Sequence, residues 1–145
     1  MGGFFRLTVD SASEFIRYKA WLNAPYGDDK KTRFEDYKDT EFANSDPDDY
    51  AVWLINLASD CGFVSHTGMG VSAISWQEIN AWQEATGLKW PWLASVIHRL
   101  SIDYVNEYVL AKDVHRPSPL QVHIDLIDQR EKVAQQIKNI FKSGR

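Results

Sequence analysis

The cysteine and histidine side chains are the groups of this 145-residue chain that could serve a nucleophilic reaction. Cys61 precedes His66 by five positions, and an imidazole can take the proton of a nearby thiol. Cys61, however, continues the apolar face of a helical repeat, where a free cysteine packs as a small hydrophobe. We therefore expect Cys61 to be structural. Because the chain contains one cysteine, it forms no internal disulfide.

Two further sets of side chains, one built on histidines and one on aspartates, have the chemistry of metal ligands but lack the sequence spacing of known metal sites. Imidazoles and carboxylates bind first-row metals, yet the histidine set matches no compact ligand motif. The aspartate set lacks the alternating ligands, central glycine and closing glutamate of a calcium loop. Helix capping and first-turn preferences explain several of its members. We expect neither a metal nor a cofactor. The first set is His115, His123, Asp113 and Asp125; the second is Asp28, Asp29, Asp46, Asp48 and Asp49.

Charge and spacing also argue against a nucleic-acid partner. The glycines of residues 66–70 lack the Gly-Lys-Ser/Thr ending of a phosphate loop. Residues 75–110 have the outline of a helix-turn-helix unit, but Arg99 is the only Arg or Lys of the second helix before Lys112. The whole chain carries 16 basic and 20 acidic residues, a net charge of −4, which is unsuited to holding a phosphate backbone. The first residues of that would-be recognition helix are Trp92, Leu93, Ser95 and Val96.

The remaining global features favour a non-enzymatic cytoplasmic protein. No window approaches the ~18 consecutive apolar residues of a membrane span, so we expect no membrane partner. Met1–Asp10 lacks the basic start and long apolar run of a signal peptide. Since no nucleophile, acid pair or metal set emerges, we expect no enzymatic activity.

Helix signals recur from Asp10 to Cys61. Phe4–Val9 is rich in β-branched and aromatic residues and predicts a short extended segment. Asp10 or Ser11 then begins a helix that ends at Asn23. Residues 27–46 have the composition of a solvated, mobile loop. Asp46 and Pro47 predict the start of a second helix, and Gly62 predicts its end.

The second half begins with a connector, residues 62–74, that is rich in glycine and small polar side chains. Ser75 and Glu78 fit a capping box, and Gly87 ends the short helix that follows. Pro91 opens the next helix. Residues 92–110 are apolar on two sides, which predicts the central helix of the fold.

These elements predict a mostly α fold, a single-domain bundle of four to five helices with a short extended N-terminal segment. We expect residues 1–119 to form the helical domain. Residues 120–145 predict an amphipathic, basic C-terminal helix that packs on the body or serves association between copies.

Aromatic density is the unusual feature of the sequence. Trp76, Trp82, Trp90 and Trp92 fall within seventeen positions. Large aromatic side chains dominate both cores and binding hot spots, so the cluster predicts core, a protein-binding face, or a division between the two. Mutation separates these roles, because a core residue loses stability and binding together.

A specific pattern runs through the same region. Ser75-Trp76-Gln77-Glu78-Ile79-Asn80-Ala81-Trp82, then Gly87-Leu88, Pro91-Trp92 and Leu100-Ser101 with Tyr104, resembles a pattern of small proteins from tailed bacteriophages and prophages. Those proteins are similar to the tail assembly chaperones of long-tailed phages. The resemblance covers residues 74–108, about a quarter of the chain. The sequence departs from the pattern at Leu93, which replaces a Glu, and at Trp90, which replaces a Ser or Thr cap, so we expect this helix to start less cleanly.

The resemblance implies an α-helical, non-enzymatic factor of phage morphogenesis. Such a factor coats the tape-measure protein, recruits tail-tube subunits and is absent from the finished virion. The alternative is a head-to-tail connector or a minor tail structural protein, which would stay in the particle. The candidates for protein binding are Trp76, Trp82, Trp90, Trp92, Tyr104 and Tyr108. The expected partners are therefore tape-measure and tail-tube proteins, with a homo-oligomer left open.

Overall fold

The computed structural model describes residues 2–38, 48–67, 70–120 and 132–140. The prediction of a mostly α, single-domain fold is confirmed. Residues 132–140 form a helix, named α6 here. The body contains two hairpins of short antiparallel strands. Its elements are α1 (Gly2–Asn23), β1 (Pro25–Tyr26), β2 (Lys31–Thr32), α2 (Arg33–Tyr37), α3 (Asp49–Cys61), β3 (Val64–Thr67), β4 (Gly70–Ala73), α4 (Trp76–Thr86) and α5 (Pro91–Leu110).

The prediction of an extended segment at Phe4–Val9 is wrong, because α1 begins at Gly2. Val9, Ala12 and Ile16 are buried, which continues a helical spacing toward the N-terminus. Phe5 packs edge-on against Trp92 of α5. Packing of this stripe on the body outweighs the β propensity of the local sequence.

Helix α5 is the centre of the fold, as predicted, and contacts α1, α3, α4 and β4. It runs beside α1 in the same direction. Arg99 pairs with Asp10, and the Ser13 hydroxyl donates to Asp103 over 2.5 Å. This parallel arrangement places the first turns of α1 and α5 at the same end of the molecule.

The predicted caps of α4 are confirmed. Ser75 and Glu78 form both hydrogen bonds of the capping box, and Gly87 closes the helix with a left-handed φ of 77°. Hydrogen bonds from Ser65 and Ser75 lower the pKa of Glu78. The Ser65 bond also ties β3 to the start of α4.

The start of α3 differs from the prediction by two residues. Asp48 is the N-cap, and its carboxylate accepts a hydrogen bond from the Ala51 amide over 3.0 Å. Asp46 and Pro47 lie outside the described residues. Gly62 ends the helix in a left-handed conformation, as predicted.

Residues 27–46 were predicted to be a solvated loop, which is wrong for the part that is described. The hairpin of β1 and β2 leads into α2, whose first residue, Arg33, is buried. The Arg33 guanidinium donates to the carbonyl oxygens of Ala111 and Asp113, each over 2.7 Å, and also to that of Trp21. A single buried cation therefore fastens this segment to the C-terminal ends of α1 and α5.

The prediction that residues 62–74 are a flexible connector is also corrected, because they contain the hairpin of β3 and β4. The hairpin leads directly into α4. The amide of Ile74 donates to the hydroxyl of Ser101 over 2.8 Å within the core. Backbone pairing and this buried bond hold a segment whose composition suggested only turns.

The core has two parts that share α1. The larger lies between α1, α3, α4 and α5, and the smaller surrounds the C-terminal end of α1. Leu120 packs against the smaller part. Every residue of α6 is exposed. Three of its exposed side chains, Val133, Ile137 and Ile140, are apolar.

Candidate protein-binding site

Four aromatic side chains form a partly exposed surface where α1 and α5 begin. We call Phe5, Trp53, Trp90 and Trp92 the aromatic patch. Trp90 stacks on Trp92 with ring centroids 5.7 Å apart and planes 11° apart. Phe5 and Trp53 contact the same Trp92 ring, with centroids at 5.2 and 6.2 Å. Trp92 is therefore the hub of a connected aromatic surface.

The patch remains open to solvent although its rings contact one another. Phe5, Trp53 and Trp90 keep 37%, 46% and 44% of their surface exposed. Trp92 is half-buried and packs against the larger core. An aromatic surface anchored to the core has little side-chain entropy left to lose on binding, which favours protein recognition.

Three helices and one turn position the patch. Pro91 is the first residue of α5 and places Trp90 at the N-cap, where its indole makes no capping hydrogen bond. Gln83 of α4 is buried, and its side-chain amide donates to the carbonyl oxygens of Leu88 and Trp90 over 3.0 and 3.1 Å. Gln83 thus fixes the backbone of the turn that carries the two stacked indoles.

The side of the patch formed by α3 is acidic. Asp48 and Asp49 are exposed at the start of α3. Asp49 and Trp53 are four residues apart and so share a helix face. Tyr50 adds an exposed phenol in the same turn. This rim favours a partner that brings basic residues beside an apolar stripe.

The structure divides the predicted tryptophans between three places. Only Trp90 and Trp92 join the patch. Trp76 is 49% exposed and stacks on His98 with centroids 4.0 Å apart. Trp82 packs against the larger core and donates its indole N–H to Asp60 over 2.7 Å. Trp82 therefore links α4 to α3.

Tyr104 and Tyr108 were also candidates for protein binding, and both lie further along α5. Their rings stack with centroids 6.0 Å apart. Tyr104 packs edge-on against Phe63, and burial raises its pKa. It lines a groove of about 440 Å³ with Lys19 and His66. These tyrosines face a different part of the molecule from the aromatic patch.

Sequence reasoning missed Phe5 and Trp53 as members of the site. The local sequence around Phe5 predicts an extended segment, whereas the structure places Phe5 on α1, beside α5. Trp53 lies in the same apolar helical repeat as Cys61, and such a repeat predicts packing against the core. In the structure Leu54 is buried and Trp53 lies at the edge of that stripe. A wide apolar stripe on α3 was the signal that some of its residues face outward.

Cys61 occupies the structural position that the sequence predicts. It packs against the larger core. Burial, together with the nearby carboxylates of Glu78 and Asp60, raises the pKa of its thiol to about 11. His66 lies on β3 with an exposed side chain. A thiol with this pKa is almost wholly protonated at neutral pH.

Within the described ranges, no group of three or more His, Cys, Asp and Glu side chains is arranged to hold a metal. His123 and Asp125 lie outside those ranges. No helix among the described residues is long and apolar enough to cross a membrane.

The helix pair α4 and α5 uses the would-be DNA-reading residues for packing. Leu93 and Val96 are buried in the larger core. Arg99 is paired with Asp10 and lies 3.6 Å from Asp103. These contacts place two of the would-be DNA-reading residues in the core and hold Arg99 between two carboxylates.

Comparisons of the chain with protein-family models, with curated proteins and with solved structures find no match.

Proposed function

We propose that this chain is a tail assembly chaperone of a tailed bacteriophage or prophage, and that it binds an amphipathic helix of the tape-measure protein through the aromatic patch. The observation that carries the proposal is the exposed, core-anchored stack of Trp90 and Trp92 with Phe5 and Trp53 around it. The sequence pattern of residues 74–108 supplies the class of protein; Trp92 belongs to that pattern, and Trp90 stands where the pattern has a Ser or Thr cap.

The chemistry of the patch suggests which segment of the tape-measure protein it binds. Aromatic rings offer a broad apolar face, and an amphipathic helix presents anchors at positions i, i+3 or i+4, and i+7. Asp48 and Asp49 favour basic residues beside those anchors. Covering such a helix keeps a long, unassembled protein from aggregating through its apolar stripe.

This role also specifies where the protein acts, how it acts and what else it binds. The protein acts in the cytoplasm of the bacterial host, where tails are built. It works by non-covalent binding, without catalysis, cofactor or nucleic acid, and it recruits tail-tube subunits to the coated tape-measure protein. A net charge of −4 helps to keep the complex dissolved.

Co-expression tests this function. The tape-measure and tail-tube proteins encoded beside this gene are produced with and without the chain, followed by pull-down and light scattering. We expect the chain to raise the soluble yield of the tape-measure protein and to form a defined complex with it. A tape-measure protein that stays insoluble, or a chain that binds neither protein, contradicts the proposal.

Mass spectrometry of purified particles separates the chaperone from the alternative role. A chaperone leaves before the tail is complete, so we expect no peptides of the chain in the particles. A stoichiometric amount would assign it instead to a head-to-tail connector or a minor tail component.

A further inference from the structure

This chain has two exposed apolar surfaces that lie beside charges of opposite sign. One is the aromatic patch. The other is the stripe formed by Val133, Ile137 and Ile140 on α6, all exposed. Their spacing of four and three residues places them on one face of the helix. An apolar helix face of this kind can pack on an exposed aromatic surface such as the aromatic patch.

Charge distinguishes the two surfaces. Residues 129–145 carry five basic residues and one acidic residue, a net of +4. Residues 1–128 carry the other eleven basic and nineteen acidic residues, a net of −8. Lys132 and Lys138 adjoin the stripe on α6, while Asp48 and Asp49 lie at the start of α3, on the Trp53 side of the patch. On the other side, Arg6 is exposed beside Phe5, and Lys89 beside Trp90 is paired with Glu84. Docking the lysines of the stripe toward α3 therefore brings opposite charges together.

The last described residue before α6, Leu120, lies at the opposite end of the body from the patch. The patch lies where α1 and α5 begin, and Leu120 packs where α1 ends. Along α5, the path from Trp92 to Ala111 is about 28 Å at 1.5 Å per residue. Residues 121–131 reach at most about 40 Å, so docking on the patch of the same chain would hold them at about 70% of full extension, which has a cost in chain entropy. A neighbouring copy imposes no such cost.

We propose that copies of this chain associate head to tail, with α6 of one copy docked on the aromatic patch of the next. The contact is heterologous, so it produces a ring or an open chain of copies. A nine-residue helix covers less than about 1,200 Å² in total, which places the contact in the weak, reversible class. The association needs only the purified chain and stands whether or not the proposed function holds.

Sedimentation velocity of the full chain tests the association. We expect the mean mass to rise as concentration increases from about 10 µM to about 1 mM. Ile137→Asp places a charge in the stripe and should reduce the association constant at least about tenfold. Gln135→Asp makes the same charge change on the opposite face of α6 and is the matched control, which should associate as the unmodified chain does.

Patch variants provide the reciprocal test. Trp53→Ala and Trp90→Ser remove two different parts of the patch and should each abolish growth beyond the monomer. Trp76→Ala removes an exposed tryptophan that stacks on His98 instead and should leave association unchanged. Melting curves of each variant show that the fold is retained.

Mixing two defective variants isolates the head-to-tail geometry. Trp53→Ala keeps an intact tail, and Ile137→Asp keeps an intact patch. At a concentration where the unmodified chain begins to associate, each variant alone should be monomeric, and their mixture should form a one-to-one dimer that does not grow further. A monomeric unmodified chain at every concentration overturns the proposal, as does association that survives both variants. A mixture that stays monomeric also overturns it.

Discussion

The side-chain amide of Gln83 donates a hydrogen bond to the carbonyl oxygen of Trp90 over 3.1 Å. The same amide also donates to Leu88, so one buried side chain of α4 holds the turn before α5. A polar side chain in the core thereby helps to determine where the stacked indoles of Trp90 and Trp92 lie. The position of the aromatic patch therefore depends on this turn as well as on contacts between the rings.

Gln83→Glu should destabilise the turn without changing the side chain's size. The carboxylate donates nothing at neutral pH and faces two carbonyl oxygens, so the free energy of unfolding should fall by about 1–3 kcal/mol. Protonation restores a donor, so the deficit should shrink as the pH falls toward about 4. Urea unfolding of the variant and of the unmodified chain, at neutral pH and at about pH 4, measures this deficit in unfolding free energy. A deficit that grows as the pH falls would contradict the role assigned to Gln83.

Trp90→Ser should separate stability from binding. A serine at this N-cap can accept a backbone hydrogen bond that Trp90 does not supply, which is worth about 1 kcal/mol. The lost stacking on Trp92 costs about 0.5–1.5 kcal/mol beyond the loss of the apolar area that the indole buries. The new cap offsets part of this loss, so the melting temperature should fall by no more than about 8 °C while capture of the tape-measure protein falls at least about tenfold.

Calorimetry of the Trp90→Ser variant measures its melting temperature, and pull-down measures its capture of the tape-measure protein. A large loss of melting temperature would show that Trp90 serves the core. Unchanged capture would remove it from the binding surface.

Arg33→Met should destabilise the protein although α2 is short. The guanidinium donates to three carbonyl oxygens and lies over the rings of Trp21 and Tyr26, at 4.7 and 4.5 Å. Methionine fills part of the space but satisfies none of these oxygens, so we expect a loss of about 2–4 kcal/mol in urea unfolding. Lys31→Met makes the same charge change at an exposed position and should cost less than about 0.5 kcal/mol. Equal losses would contradict the role of Arg33.

The thiol of Cys61 should be slow to react in the native protein. Its pKa of about 11, raised from 9.0, reduces the thiolate population about 100-fold at pH 8. Reaction with an aromatic disulfide reagent, followed in the native and urea-unfolded states, measures this difference. Native labelling as fast as unfolded labelling would show that Cys61 is neither buried nor shifted.

Local signals in the sequence predicted much of the fold. Ser75, Gly87 and Pro91 each act within one helix turn, through a capping bond, a left-handed residue or a fixed φ angle, so their effects can be read from neighbouring residues. Helix α5 was predicted to be central because it is apolar on two sides.

The missed features depend on contacts between distant parts of the chain. Phe4–Val9 favours a strand locally but forms a helix because its stripe packs on the body. Arg33 looks like one charge in an acidic loop, yet its partners Ala111 and Asp113 lie about eighty positions away. The aromatic patch also depends on contacts between distant residues, because Phe5, Trp53 and Trp92 come from three different helices. Among the ring contacts of the patch, only that between Trp90 and Trp92 joins residues that are close in the sequence.

Capture of the tape-measure protein by matched tryptophan variants tests the central claim most directly. The unmodified chain, Trp53→Ala and Trp76→Ala are co-expressed with the tape-measure protein, and the captured amount is measured per folded chain. Trp53 and Trp76 are similarly exposed, but only Trp53 contacts Trp92. We predict that Trp53→Ala lowers capture at least about tenfold, as truncation of a hot-spot residue does, while Trp76→Ala leaves it unchanged. Equal capture by all three proteins would contradict the assignment of the aromatic patch as the binding site.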